Sequence, residues 1–179
     1  MTGFIILAIV LFVGSAFIYV TSKINKLEAI TRDKNAEVDA GIWDRGFRLG
    51  KLVEALNQAG IDHGIEAPDT SAFTLGTPAT MQSVTSEQLD KADVILQEVI
   101  DKHPELKTNS EFQADLKKFD DSRNDILKAS VAYNKSVSAY NRFISDFPGS
   151  IVASLRKKTD KQIFTYIFTD IKKDEFASF

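Results

Sequence analysis

The dipeptide Tyr-Asn occurs twice in a short stretch of the chain, as Tyr133-Asn134 and as Tyr140-Asn141. The copies stand seven residues apart, close to two turns of an α-helix, so both tyrosines are predicted on one face with the asparagines beside them. Phenols and primary amides both donate and accept hydrogen bonds. Such a pair suits a structural lock that fixes the register of packed helices. The alternative is a polar groove that accepts an extended peptide.

Groups that could support catalysis are few. The chain has two histidines, His63 and His103, and no cysteine. His63 lies near Asp62, Glu66 and Asp69, but their spacing lacks the regularity of a metal site. The sequence contains no His-Glu-x-x-His motif and no glycine-rich phosphate-binding loop. We therefore expect a protein that is not an enzyme and holds no cofactor or metal, with a hydrolase centred on His63 as the enzymatic alternative.

Two arginines and two glycines are the predicted interaction residues: Arg45, Gly46, Gly50 and Arg123. Both arginines interrupt otherwise apolar helical patterns. We interpret their stems as lying along an interface while the guanidinium groups reach water or a carboxylate. The alternative is a pair of buried cations that await an acidic partner, which is costly. Each glycine costs about 1 kcal/mol in a helix interior, which indicates that another helix approaches closely there.

These groups must be positioned by helices, and the first helix begins in an apolar run. The stretch from Gly3 to Val20 has 18 residues and no charge, and as a helix it would span about 27 Å, close to the hydrocarbon thickness of a bilayer. We expect residues 1–22 to be a retained transmembrane anchor, and a cleaved signal peptide is the alternative. Lysines and arginines follow the run and none precedes it, so the C-terminal domain is predicted in the cytoplasm and the N-terminus outside. A periplasmic or extracellular domain is the other orientation.

Hydrophobic periodicity predicts three long helices after this anchor. The stretch from Ile24 to Ala36 is more polar and is interpreted as a solvated stalk. The second helix is predicted to open at Thr85 and the third at Thr108, each with a capping box, and Pro148 and Gly149 end the third. The predicted seam positions of the first helix are Val38, Ile42, Arg45, Leu49, Leu52, Leu56 and Ala59. Those of the third are Phe112, Leu116, Phe119, Arg123, Ile126, Ser130, Tyr133, Val137, Tyr140, Ile144 and Phe147.

Two further segments complete the predicted fold. Residues 60–85 are rich in Gly, Pro, Ser and Thr and are predicted to form a long loop at the far tip of the first helix. A short helix is predicted around Ile151 to Lys157, and residues 161–171 are assigned to helix, although their β-branched and aromatic content also suits a strand. The predicted fold is all-α: an elongated antiparallel bundle of three long helices and short C-terminal ones, residues 23–179, on the transmembrane helix.

The stretches "HPELKTNSEF" (103–112) and "YNKSVSAYNRFISDFP" (133–148) resemble the signature of the LemA family. In that family a Pro-x-Leu-Lys turn precedes a long helix that carries Tyr-Asn, Val, Tyr-Asn and Phe-Pro. The matching positions are Pro104, Leu106, Lys107, Phe112, Tyr133, Asn134, Val137, Tyr140, Asn141, Phe147 and Pro148. The first helix is less similar, and Trp43 falls where the family is normally polar. The resemblance implies a bacterial single-pass protein with a helical antiparallel domain and no established catalytic activity.

The net charge of −3 leaves no basic field for nucleic acid. The predicted function is that of a membrane-anchored, non-enzymatic scaffold that assembles at the membrane or recruits partners there. The alternative is an accessory subunit that presents substrates to a membrane protease or another membrane enzyme. The expected partners are the lipid bilayer, an unidentified protein and further copies of the chain.

Overall fold

The computed structural model describes residues 1–71, 73 and 76–166. These residues form helices and no strand, which confirms the all-α prediction. The helices are α1 (Thr2–Gln58), α2 (Ala79–Lys102), α3 (Pro104–Thr108), α4 (Ser110–Ser145) and α5 (Gly149–Leu155). The predicted short C-terminal helix is present as α5. The predicted helix over 161–171 is wrong for residues 161–166, which are not helical, and residues 167–171 lie outside the described residues.

α1 is a single uninterrupted helix of 57 residues, about 86 Å long at ~1.5 Å per residue. Among the described residues it is the helix that is long and apolar enough to cross a membrane, with a mean hydropathy of 2.6 over its apolar window, of which 6% is buried. Burial starts at Val20 and recurs up to Leu56, mostly at intervals of four and three residues, with the partly buried Leu27 between Ile24 and Thr31. From the end of the apolar run onward, one side of α1 is therefore buried within the bundle.

The core is a seam between α1 and α4, which run antiparallel. At its centre Gly41 approaches α4 so closely that a Cβ built on it would lie 3.0 Å from Cγ1 of Ile126. At the end next to the apolar run, Val20 and Ile24 pack with Tyr140 and Ile144 of α4. All predicted seam positions of the first helix are buried except Ala59, which follows the helix end.

The stretch from Ile24 to Ala36 is not a solvated stalk. Ile24, Thr31 and Asn35 are buried, and Ile24 belongs to a cluster that also includes Val152 of α5. Sequence reasoning missed this because Thr31 and Asn35 are polar, although they continue the spacing of four and three residues along the seam. α4 is long enough to cover α1 down to the end of the apolar run.

α2 runs parallel to α1, because the chain returns from the tip before α2 begins. Gln82 near the start of α2 donates to Asp39 at 2.7 Å, and Asp90 further along contacts Arg45. The connection thus passes back along the bundle, and on the way it places Thr70 against Gly46. The prediction that this loop stays at the far tip is wrong.

The predicted start of α2 at Thr85 is also wrong. α2 begins at Ala79 after Pro78, and Thr85 is buried within it. Two side chains of α1 hold the approach to α2: Asn35 donates to the carbonyl of Thr77 at 3.1 Å, and Asp39 accepts from the backbone N–H of Thr77 at 3.4 Å. Tertiary contacts and Pro78 mark this helix start in place of the predicted capping box.

The start of α4 is capped by Asn109 instead of Thr108. The Asn109 side-chain oxygen accepts from the backbone N–H groups of Glu111 and Phe112, each at 3.1 Å. The Thr108 hydroxyl donates back to the carbonyl of Glu105 at 2.9 Å and closes the short α3. Asparagine and threonine are both good caps, so their order along the chain could not be decided from residue type.

The end of α4 comes earlier than predicted. The helix stops at Ser145, which leaves Phe147 outside the seam and 81% exposed. Gly149 opens α5 instead of ending α4, and it lies against the carbonyl oxygen of Phe143, where a Cβ would overlap. Only glycine fits this approach of α5 to the last turns of α4.

We predict opposite effects when alanine replaces two glycines of α1. Gly50→Ala should stabilise the bundle by up to about 1 kcal/mol, because a Cβ there meets open space and alanine is the better helix former. Gly46→Ala should destabilise it, because its Cβ would lie 2.5 Å from the Thr70 side chain, and overpacking typically costs about 1–3 kcal/mol. Urea unfolding of the detergent-solubilised chain, followed by circular dichroism, measures both. Equal stabilisation by the two variants would contradict the placement of Thr70.

Candidate functional site

The two asparagines of the Tyr-Asn pairs bind the chain's own C-terminal segment, residues 161–166, which we call the tail. Asn134 donates to the carbonyl of Phe164 and accepts from its N–H, both at 2.8 Å. Asn141 makes the same two bonds with Lys161, both at 2.9 Å. Each amide therefore pairs with one residue of extended backbone as a neighbouring β-strand would.

The spacing of the two pairs matches the geometry of an extended chain. Seven residues of helix rise about 10.5 Å at ~1.5 Å per residue. The three steps from Lys161 to Phe164 span about 10 Å at ~3.3 Å per residue. Because Asn141 pairs with the earlier tail residue and Asn134 with the later one, the tail runs antiparallel to α4. The seven-residue spacing of the Tyr-Asn pairs along α4 therefore matches a spacing of three residues along an extended strand.

The tyrosines support the same segment. Tyr133 donates its hydroxyl to the carbonyl of Gln162 at 2.8 Å. The ring of Tyr140 is 1% exposed and lies beneath Lys161, whose Nζ is 5.2 Å from the ring centroid. Burial raises the pKa of both tyrosines, so both remain neutral hydrogen-bonding groups at physiological pH. The lock interpretation is right about burial, but the lock joins α4 to the tail instead of setting helix register.

The second half of the tail enters the core. Phe164 is 3% exposed and belongs to the main hydrophobic cluster. The backbone N–H of Thr165 donates to the Ser83 hydroxyl at 3.2 Å, and the Tyr166 hydroxyl donates to Asp90 at 2.8 Å. Burial and this bond to a carboxylate raise the pKa of Tyr166. The tail therefore fills the space between α4 and α2 and joins the two helices.

Asp90 is also the centre of a buried ionic cluster. Arg45 is fully buried and donates from Nη1 to Asp90 at 2.5 Å and from Nη2 to Asp93 at 3.3 Å. Arg123 of α4 contacts Asp90 through Nη2 at 3.1 Å. The two arginines and two aspartates balance in charge, which offsets the desolvation of each group. α1, α2, α4 and the tail all contribute to this cluster.

Both arginines are thus paired with carboxylates of the same chain, as the first interpretation predicted. Neither cation awaits an external acid. Sequence reasoning did not identify Asp90 and Asp93 as the partners, although they are three residues apart on α2 and both are buried. That spacing places both carboxylates on the side that meets Arg45.

Of the two interaction glycines, Gly46 is closed off by Thr70 and Gly50 is open. Gly50 follows a pair of stacked, half-exposed aromatic rings, Trp43 and Phe47, whose centroids are 5.5 Å apart and whose planes differ by 6°. The three residues recur at intervals of four and three, so they share one outward face of α1, which we call the aromatic face. The unusual Trp43 was the sequence signal for this surface.

The remaining signature residues serve the fold. Leu106, Phe112 and Val137 are buried in the main cluster. Pro104 starts α3, and Lys107 forms an ion pair with Asp101 at 2.8 Å. Pro148 precedes α5 and is exposed. The signature therefore describes how α3, α4, α5 and the tail pack together.

The loop histidine has a local structural role. His63 accepts through Nδ1 from the backbone N–H of Ile65 at 3.0 Å, and its Nε2 lies 3.3 Å from the side-chain oxygen of Asn57. Across the described part of the chain, no group of three or more His, Cys, Asp or Glu side chains is placed to hold a metal ion. The cluster of Asp62, His63, Glu66 and Asp69 does not come together as such a site.

A family model described as the LemA family matches residues 52–175 of the chain. The matched residues include α2, α3, α4 and α5, both Tyr-Asn pairs and the tail. No curated protein and no solved structure matches the chain.

We predict that Asn134→Asp and Asn141→Asp each release part of the tail. Aspartate has the shape of asparagine but cannot donate, so its carboxylate would repel the tail carbonyl that the amide now binds. Losing such a bond in a part-buried site costs about 1–3 kcal/mol. Hydrogen exchange should therefore speed up at the Phe164 N–H in the first variant and at the Lys161 N–H in the second.

Asn124→Asp is the matched control, because Asn124 is exposed on the same helix. It should leave exchange in the tail unchanged. If the tail amides exchange at wild-type rates in the two test variants, the asparagine ladder does not hold the tail.

Proposed function

The chain belongs to the LemA family, and on that premise we propose that it is a membrane-anchored, non-enzymatic helical scaffold that recruits protein partners to the bacterial membrane. The proposal is supported by the continuity of α1, which joins an apolar run to a folded bundle without a break. A surface carried on such a helix is held at a fixed height above the bilayer. The bundle adds the rigidity that a binding platform needs.

The observation that carries the proposal is the aromatic face. Trp43 is 47% exposed and Phe47 is 49% exposed, and their stacked rings present one aromatic surface with Gly50 beside it. Nζ of Lys51 lies 5.0 Å from the centroid of the Phe47 ring. Trp and other aromatic residues are enriched among the residues that dominate protein interfaces. A stacked pair is already ordered, so a partner loses little side-chain entropy on binding it.

The position of this face favours a protein partner over lipid. Trp43 follows Val20 by 23 residues, which places it about 35 Å beyond the apolar run along α1 at ~1.5 Å per residue. The headgroup layer is only about 5–8 Å thick per leaflet. The open glycine next to the rings leaves room for the backbone or side chain of another protein.

We place the bundle in the cytoplasm and the N-terminus outside. Lys23, Lys26, Arg32 and Lys34 follow the apolar run, and no lysine or arginine precedes it. This asymmetry is the pattern that sets the orientation of single-span proteins. Partners would then be cytoplasmic proteins, cytoplasmic parts of membrane proteins, or further copies of the chain.

Site-specific photocrosslinking in native membranes tests the proposal. A photoreactive benzoylphenylalanine at residue 43 should give a discrete crosslinked product that mass spectrometry can identify. The same group at Val94, which is 61% exposed on α2, is the control and should give no such product. Phe47→Ser should weaken the crosslink from position 43, because it removes the stacked ring.

The identity of the crosslinked protein distinguishes between the versions of the proposal. A crosslink to a second copy supports assembly at the membrane, and a crosslink to another protein supports recruitment. A membrane protease or another membrane enzyme as the partner would support the accessory-subunit role. If position 43 gives no product, or only the products seen at position 94, the scaffold proposal fails.

A further inference from the structure

α5 lies at the membrane-proximal end of the bundle. Its inner side, Val152 and Ala153, packs in one cluster with Val20 and Ile24 of α1. Just after α5, Arg156 donates to the side-chain oxygen of Asn25 at 3.3 Å. Val20 is the last residue of the apolar run, so α5 sits beside the first two turns of α1 that follow the run.

This position coincides with the lipid headgroup layer. The hydrocarbon core of a bilayer is about 30 Å thick, and the headgroups raise the total to about 40–45 Å. One headgroup layer therefore corresponds to about three to five residues of an upright helix. If the apolar run spans the hydrocarbon, residues from Val20 to about Ile24 cross the headgroups, and α5 packs on this section.

The outer side of α5 is apolar and uncovered. Ile151 and Leu155 stand four residues apart on the helix and are 54% and 70% exposed, and Phe147 just before the helix is 81% exposed. Beyond the apolar run, Phe147 and Leu155 are the two most exposed large apolar side chains in the part of the chain that the structure describes. A short helix that is apolar on its inner and outer sides needs a second apolar environment.

Charge at this level suits a phospholipid surface. Basic groups come from all three helices that meet here: Lys23 and Lys26 of α1, Arg142 of α4, and Arg156, Lys157 and Lys158 after α5. The acidic groups are Glu28, which binds Lys158 at 2.6 Å, Asp146, which binds Arg142 at 3.5 Å, and Asp160. Cations are in excess around the exposed apolar side chains, as in helices that lie on anionic membranes.

We propose that Phe147, Ile151 and Leu155 form a second membrane contact, in which α5 lies in the headgroup layer with these side chains directed to the acyl chains. The contact rests on the proposed membrane anchoring, which it extends from a single span to two points of attachment. Two points restrict the tilt of the bundle, so the aromatic face keeps a fixed height and direction above the bilayer.

Depth-dependent fluorescence quenching tests this contact in the full-length chain. The sequence has no cysteine, so single cysteines can be labelled without background. An NBD label at Ile151→Cys is compared with one at Val94→Cys, an exposed apolar residue of α2, in phosphatidylcholine and phosphatidylglycerol vesicles. Lipids that carry a nitroxide on the headgroup or the upper acyl chain should quench the label at residue 151 several-fold more than the label at residue 94.

A third label, at Phe12→Cys within the apolar run, reports whether the anchor is inserted. If the label at residue 12 is quenched by acyl-chain nitroxides but the label at residue 151 behaves like that at residue 94, the α5 contact is overturned and the anchor stands. If none of the three labels is quenched, the anchor itself is wrong, and the proposed function falls together with this contact.

Discussion

α1 and α4 lie antiparallel along a seam of buried side chains that repeats every four and three residues, and this pairing positions every other element. It runs from Leu56 and Phe112 at the tip to Val20 and Ile144 at the end next to the apolar run. Full burial of each large aliphatic side chain contributes about 1.5–3 kcal/mol, so the seam dominates the favourable terms. The glycine at residue 41 lets the two helix axes approach closely at its centre.

Two polar devices attach the remaining elements to this pair. The ionic cluster around Asp90 joins α2 to Arg45 of α1 and to Arg123 of α4. The asparagine ladder attaches the tail to α4, and Tyr166 carries the tail to the same aspartate. Asp90 is therefore the group on which both devices converge. Breaking a buried ion pair costs about 3–5 kcal/mol, so these contacts give the bundle one specific arrangement.

The sequence was sufficient for features that depend on local periodicity. The helices α1 and α4 follow from repeat spacing, and so do their buried faces apart from the stretch between Ile24 and Ala36 and the exposed Phe147. The apolar run follows from its lack of charge, and the arginine interpretation followed from the cost of a buried charge. The predictions that were wrong concern features that depend on contacts between residues far apart in the sequence. The start of α2 is held by Asn35 and Asp39 from another helix. The apolar spacing of the tail suggested a helix. The tail is not helical, because side chains of Asn134 and Asn141 supply the hydrogen bonds of its backbone. The aromatic face is visible only once the inner face of α1 is known.

The fold depends on the register of α1 against α4, and engineered disulfides in this cysteine-free chain measure that register. A Cβ built at residue 41 lies 3.6 Å from Cα of Ile126, within reach of the Cβ separation of about 3.5–4.5 Å that disulfides require. We expect Gly41→Cys with Ile126→Cys to form an intramolecular disulfide under mild oxidation, detected as a loss of two hydrogens by mass spectrometry. Gly41→Cys with Ser130→Cys, about 6 Å further along α4, should stay reduced. Equal or faster oxidation of the second pair would contradict the structure.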